Sequence, residues 1–139
     1  MKKLLKLAGA SALFCLLFAI PAVAQITNAV NFTTTFPFYA GNTKLPAGSY
    51  KVTQSPMDNT ILLIEGGKGV HSAFIDYTPS QTEKAHPSTL VSFKKYGSTD
   101  FLDTIWVQGQ RYGMVVDPTK AEKKMAADGT PETHSVPAQ

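Results

Sequence analysis

Cysteine is almost missing from this chain: Cys15 is the single one among 139 residues, and it lies within the apolar stretch near the N-terminus. A disulfide framework is therefore excluded, and past that stretch there is no thiol to act as a nucleophile or to bind a metal. Long apolar runs are equally scarce. The one candidate, Leu7 to Ile20, falls short of the ~20 residues that span a bilayer, and no second follows. Charge of one sign is lacking too. Of 13 Lys+Arg, Lys2, Lys3 and Lys6 precede the apolar run, which leaves 10 against 10 Asp+Glu in residues 25–139. The formal +3 charge belongs to the leader, so the remainder offers no basic surface for nucleic acid. Helical periodicity is absent until the last quarter of the chain, and the Gly-x-Ser-x-Gly nucleophile pattern does not occur.

What is present begins with that leader. Three lysines, the apolar run, Pro21 and Ala22-Val23-Ala24 give the charged, apolar and small-residue order of a secretory signal over 1–24, with cleavage expected after Ala24. Lipid attachment at Cys15 is not expected, because bulky Phe14 precedes it and the apolar stretch continues beyond it. The mature chain is expected to be secreted or periplasmic, with no stable membrane span once the signal is removed, and to hold together by packing alone.

The mature sequence alternates. Val30, Phe32, Thr34, Phe36 and Phe38 share one parity, and Asn31, Thr33 and Thr35 the other, which is the pattern of a half-buried strand with Pro37 near its end. Further strands are expected over Ser49–Gln54, Thr60–Glu65, Val70–Tyr77, Thr89–Tyr96, Phe101–Val107 and Arg111–Val116. Gly66-Gly67-Lys68-Gly69 reads as a hairpin turn and residues 78–88 as a polar loop. About seven strands joined by short turns predict an all-β domain, a small antiparallel sandwich or barrel, since parallel pairing would need crossovers that are missing. Asp117-Pro118-Thr119-Lys120-Ala121-Glu122 predicts a capped helix running to about Ala127, which either docks through Ala121 and Met125 or frays. The domain is thus expected over 25–127, with a disordered tail over 128–139.

Two strands, Val70–Tyr77 and Phe101–Val107, are apolar on both parities. Either their second face is covered, for example by the terminal helix, or it meets a partner or ligand.

Phe36-Pro37-Phe38, the Gly41 to Tyr50 segment containing Leu45-Pro46-Ala47-Gly48, and Lys95-Tyr96-Gly97 followed by Phe101-Leu102 and Ile105-Trp106 form an ordered series. With Pro118 to Glu122, this series resembles a group of small exported proteins of soil bacteria whose function is uncharacterised. The resemblance covers nearly the whole mature chain and implies a β-rich exported domain. It carries no catalytic residues.

Little catalytic chemistry is legible. His71, His86 and His134 are scattered without ligand spacing, so no metal site and no cofactor is expected. The glycine turn lacks the Ser/Thr and the helix that a phosphate cradle needs. Glu65 with Asp76, or Asp100 with Asp103, are the carboxylate pairs a hydrolase would use. Asn31-Phe32-Thr33 matches a glycosylation acceptor but lies in an expected strand of a chain with bacterial likeness. The strands are too short for an outer-membrane barrel. Among the aromatics, Tyr96, Trp106 and Tyr112 are the candidate ligand-binding residues, and Trp106 should face outward if Ile105 faces in. The expected role is a non-catalytic envelope or extracellular interaction module with a protein or glycan partner. The alternatives are a small-ligand or carbohydrate binder and a carboxylate-dependent hydrolase.

Overall fold

The computed structural model describes residues 29–139. The expected signal over 1–24, its cleavage site and Cys15 lie outside the described residues. The described chain is mostly β, with ten strands and one α-helix. The strands are β1 (Val30–Thr34), β2 (Phe38–Ala40), β3 (Thr43–Leu45), β4 (Gly48–Gln54), β5 (Ile61–Gly66), β6 (Ser72–Gln81), β7 (Leu90–Tyr96), β8 (Thr99–Trp106), β9 (Tyr112–Val116) and β10 (Glu132–Pro137), and the helix is α1 (Lys120–Asp128).

Pairing runs β1-β4-β5-β6-β9-β8-β2-β3, with β7 beside β8 and β10 beside β7. Strand β6 is the pivot. Its first half, Ser72–Asp76, pairs with β5, and its second half, Tyr77–Gln81, pairs with β9. The path does not close into a continuous ladder. β10 meets β1 through one bridge, Phe32↔Ala138, and two main-chain bonds between Asn31 and Gln139 at 2.7 and 2.9 Å.

Several expected boundaries move, each for a physical reason. The strand expected over Val30–Phe38 is two strands. The chain bends at Thr35–Pro37, leaves β4 and rejoins the sheet beside β8, where Tyr39 bridges Phe101 in parallel. The break expected after Ala40 is a tight hairpin into β3. Gly41 turns there with φ +60°, and a Cβ would lie 3.2 Å from Ile75 Cγ2, so both conformation and space select glycine. β6 continues four residues into the expected loop despite Pro79. Thr82 N donates to Arg111 O, which places residues 80 and 78 in the bonded positions toward β9 and turns residue 79 away. The N–H that proline lacks is therefore not one the ladder uses.

The expected disordered tail is the largest correction. Glu132–Pro137 pairs antiparallel with β7 along its whole length. His134, Val136 and Ala138 share the inward parity, while Thr133, Ser135 and Pro137 are exposed. A half-buried strand needs apolar or aromatic groups at every second position only, and main-chain pairing does the rest.

The core joins the two halves of the sheet around Phe93, which is fully buried. Phe38 meets it at 5.3 Å between ring centroids, Phe32 at 6.3 Å and Phe36 at 5.1 Å. Tyr50 stacks on Phe32 and its hydroxyl donates a hydrogen bond to Pro46 O, which ties the turn before β4 to the core. Among the described residues, Thr34 Oγ1 is the buried side-chain polar atom with no hydrogen-bond partner.

Candidate interaction site

The three aromatics singled out from sequence do not converge. Trp106 does face outward, with Ile105 fully buried behind it. Its ring, however, is taken on both sides. It lies over Gly113, where a Cβ would come within 2.6 Å of Trp106 Cζ3, and the His86 imidazole stacks on it at 5.0 Å and 16°. His86 is fixed in turn, its Nδ1 2.6 Å from Ser88 O and its main chain bonded to Gln110 and Gly109. Gly113 is the residue opposite Trp106, so Tyr112 beside it points to the other face, where it packs on the core. Tyr96 stands six positions along β7 from Leu90, the partner of Trp106, which is roughly 20 Å of extended chain. Tyr96, Trp106 and Tyr112 therefore do not form one stacking platform.

The carboxylate pairs fare no better. Asp76 is opposite Ile61 and Glu65 is opposite Ser72, so the two acids are separated by four positions, roughly 13 Å. That is beyond the separations at which two carboxylates share one glycosidic bond. Asp100 and Asp103 face opposite ways: Asp100 takes a bond from His134 on the core side, and Asp103 pairs with Lys94 at 3.1 Å on the outside. Among the described residues, no group of three or more His, Cys, Asp or Glu is placed to hold a metal ion. The glycine turn is a hairpin of one 3₁₀ turn, Gly67–Gly69, in which Lys68 and Gly69 take φ +62° and +66°.

Two features escaped sequence reasoning. The first is the Asp100–His134 pair. His134 Nε2 donates to Asp100 Oδ1 at 2.6 Å, and the imidazole stacks on Phe93 at 5.6 Å and meets Phe36 at 5.0 Å. Asp100 is buried and His134 half-buried, so the bond fixes β10 to the body of the sheet. The alternation of His134, Val136 and Ala138 was the available signal.

The second is how α1 sits. Thr119 Oγ1 accepts from Glu122 N at 3.2 Å, as the capping pattern predicts. Ala121, expected to dock, is exposed, and Glu122 is the buried residue of the helix. The nearby outer face of β7 and β8 carries Lys94, whose charge favours a carboxylate at this position, and Asp103, whose charge opposes it. Burial pushes the Glu122 carboxyl above its usual range; Lys94 opposes this and Asp103 adds to it. Burial pulls the Lys94 ammonium down, but the hydrogen bond and charge of Asp103 outweigh it and the net direction is up. Burial, then the charge of Glu122, raises Tyr96.

The two faces with apolar residues on both parities have different fates. Phe101 points outward from β8 yet is only 2% exposed, because Tyr39 stacks on it at 5.2 Å and Tyr96 meets its edge at 5.9 Å. Phe74 points outward from β6 and is 64% exposed. Leu63 lies directly across from it on β5, half-buried, and Ile61 shares the face of Leu63. Val70, in the turn before β6, is also exposed. Large exposed apolar side chains are ordinary singly, but here they gather on one side of one hairpin.

A separate cleft of about 790 Å³ lies on the outer side of β1, β4 and β5, lined by Asn31, Thr33, Ser49, Lys51, Glu65 and the glycine turn, with Ala138 and Gln139 along its rim. Its lining is mixed polar and apolar, and the rings that border it, Phe32 and Tyr50, are buried. Among the described residues no helix is long and apolar enough to cross a membrane. Comparison with protein-family models, curated proteins and solved structures finds no match to this chain.

Proposed function

We propose that this chain is an exported, non-catalytic β-domain that acts as an interaction module in the envelope or outside the cell, and that it engages its partner with the outer face of the β5–β6 hairpin. One observation carries the reading: Phe74 is exposed beside Leu63 on a face that nothing else in the described chain covers, whereas the equivalent Phe101 is sealed. The leader pattern and the likeness to small exported proteins support the compartment. The separation of the carboxylate pairs Glu65–Asp76 and Asp100–Asp103 supports a role without catalysis, since acid–base work of that kind needs both carboxylates facing one cleft.

The test is affinity capture with the exported protein from its own envelope and medium, run in parallel with Phe74→Ser. The expected result is a retained set that the variant loses. An identical set on both, or none on either, overturns the reading.

A second reading has its own support. The cleft beside Lys51 and Glu65, mixed in its lining, has the dimensions of a small-ligand site. It would suit a hydroxyl-rich ligand held by Asn31, Thr33, Ser49 and Lys51 without aromatic stacking. Binding of such a ligand by the wild type, lost in Lys51→Ala and kept in Phe74→Ser, would favour it.

A further inference from the structure

The cleft beside β1, β4 and β5 is set apart by its charges. Lys51 and Glu65 are the ionic side chains among the described residues that line it, one of each sign. Register places them directly opposite each other across β4 and β5, with Asn31 opposite Lys51 on β1. Unlike charges at opposed ladder positions ordinarily attract each other into a pair. Here, among the described residues, the ion pairs are Lys94–Asp103 and His134–Asp100, and neither the Lys51 ammonium nor the Glu65 carboxylate has a partner in the chain. Several neutral groups beside them are engaged. The Thr33 and Ser49 hydroxyls share a hydrogen bond of 2.9 Å, and the main chains of Asn31 and Gln139 bond each way at 2.7 and 2.9 Å. The two charges are therefore the strongest groups that the cleft holds out to a ligand.

We propose that this cleft binds a short zwitterionic peptide, its free carboxylate on the Lys51 ammonium and its free ammonium on the Glu65 carboxylate. The proposal rests on the reading of the cleft as a ligand site and names the ligand's chemistry. The sign pattern discriminates among ligands. An anion drawn to Lys51 meets Glu65 one strand away, and a cation drawn to Glu65 meets Lys51. A neutral, hydroxyl-rich molecule displaces water from both charges and returns no countercharge to either. A molecule with one charge of each sign satisfies both. Length fits as well. Neighbouring strands lie about 4.8 Å apart, and two peptide residues span at most about 7 Å, so the termini of a short peptide can reach both side chains. The volume of about 790 Å³ leaves room for the peptide's own side chains. Lys51 is exposed and Glu65 half-buried, so each contact is screened by water, and the complex is weak.

NMR titration of the exported protein at low salt, carried into the millimolar range of ligand, tests this. Glycylglycine has no side chains and so isolates the two terminal charges. It should shift the amides of β1, β4 and β5 that border the cleft. N-acetylglycylglycine, which lacks the ammonium, and glycylglycinamide, which lacks the carboxylate, should each bind about two- to fivefold more weakly. The variants assign each charge. Glu65→Gln should bind glycylglycine and its acetylated form alike and still disfavour the amide. Lys51→Met should bind glycylglycine and its amide alike and still disfavour the acetylated form. Lys44→Met removes the same charge from β3, outside the cleft, and should leave all three affinities as in the wild type. Equal binding of the three peptides by the wild type, or preferences that Lys51→Met and Glu65→Gln leave unchanged, overturns the proposal. Maltotriose is the neutral comparison. Shifts at the cleft with maltotriose and none with glycylglycine would overturn the zwitterion and leave the cleft as a ligand site, whereas no shift with either would overturn both.

Discussion

The outer faces of β8 and of β6 begin from the same sequence feature and end differently. Each strand has apolar residues on both parities, so each presents an aromatic ring away from the core. Over β8, Phe101 is enclosed by Tyr39 from β2 and Tyr96 from β7, with α1 close by through Glu122, Lys94 and Asp103. Over β6, Phe74 has Leu63 beside it and solvent above. The difference is one of connectivity. The β2–β3 hairpin and α1 both return to the β7–β8 side, and no described element returns over β5 and β6. A doubled apolar pattern thus marks a face that needs covering and does not say whether the cover comes from the same chain.

The largest effect should come from the sealed side. Phe101→Ala would open a cavity beneath Tyr39 and Tyr96 and should destabilise the domain by about 3–5 kcal/mol in equilibrium denaturation, within the range for buried aromatics. A loss under about 1 kcal/mol would mean that the covering tyrosines collapse inward and the face is less sealed than it looks.

Next comes the fastening of β10. His134→Ala leaves the Asp100 carboxylate buried without its donor and removes a ring from Phe93 and Phe36, so a loss of about 1–3 kcal/mol is expected. Amide exchange should show the loss first in Glu132–Pro137, and uniform protection across the sheet would contradict a local fastening.

Much of this layout was legible beforehand, and the misses share a cause. Seven expected strands correspond in position to observed ones because their inward residues, such as Tyr50 and Val52 or Leu62 and Ile64, are apolar and alternate in the sequence itself. β3 and β10 were missed because few of their residues are apolar: main-chain pairing to a neighbour, which no local pattern records, makes them strands. The site was less legible still. Alternation correctly turned Trp106 outward, but nothing in the local sequence said that His86, in a loop twenty residues earlier, would stack on it. Glu65 and Asp76 are close in the hairpin, yet register alone decides that they lie at opposite ends of it.

Glu122 sharpens the comparison more gently. Burial raises its carboxyl pKa in the folded chain above the unfolded value, so the folded state holds that proton more tightly. The stabilisation linked to this is complete below the unfolded pKa and is lost as pH rises through the folded one. Between mildly acidic and neutral pH the wild type should therefore lose a little stability that Glu122→Gln, neutral throughout, does not. Parallel thermal melts at several pH values would read the difference, and identical slopes for the two proteins would mean that Glu122 is solvated and α1 contributes little to the cover.

The smallest effect belongs to the open side, and its smallness is what makes it informative. Phe74→Ser removes a ring that is 64% exposed, touches no bond to β5 and leaves Ala73 and Ile75 buried, so stability should change by no more than about 0.5 kcal/mol. A residue kept for packing would behave like Phe101, whereas one that serves a partner can be removed from the isolated domain almost without trace. Equal melting of wild type and Phe74→Ser, set against a large fall for Phe101→Ala, would separate a covered face from an uncovered one by energy alone. A fall for Phe74→Ser comparable with that of Phe101→Ala would instead show that the β5–β6 hairpin depends on its outer ring for its own folding.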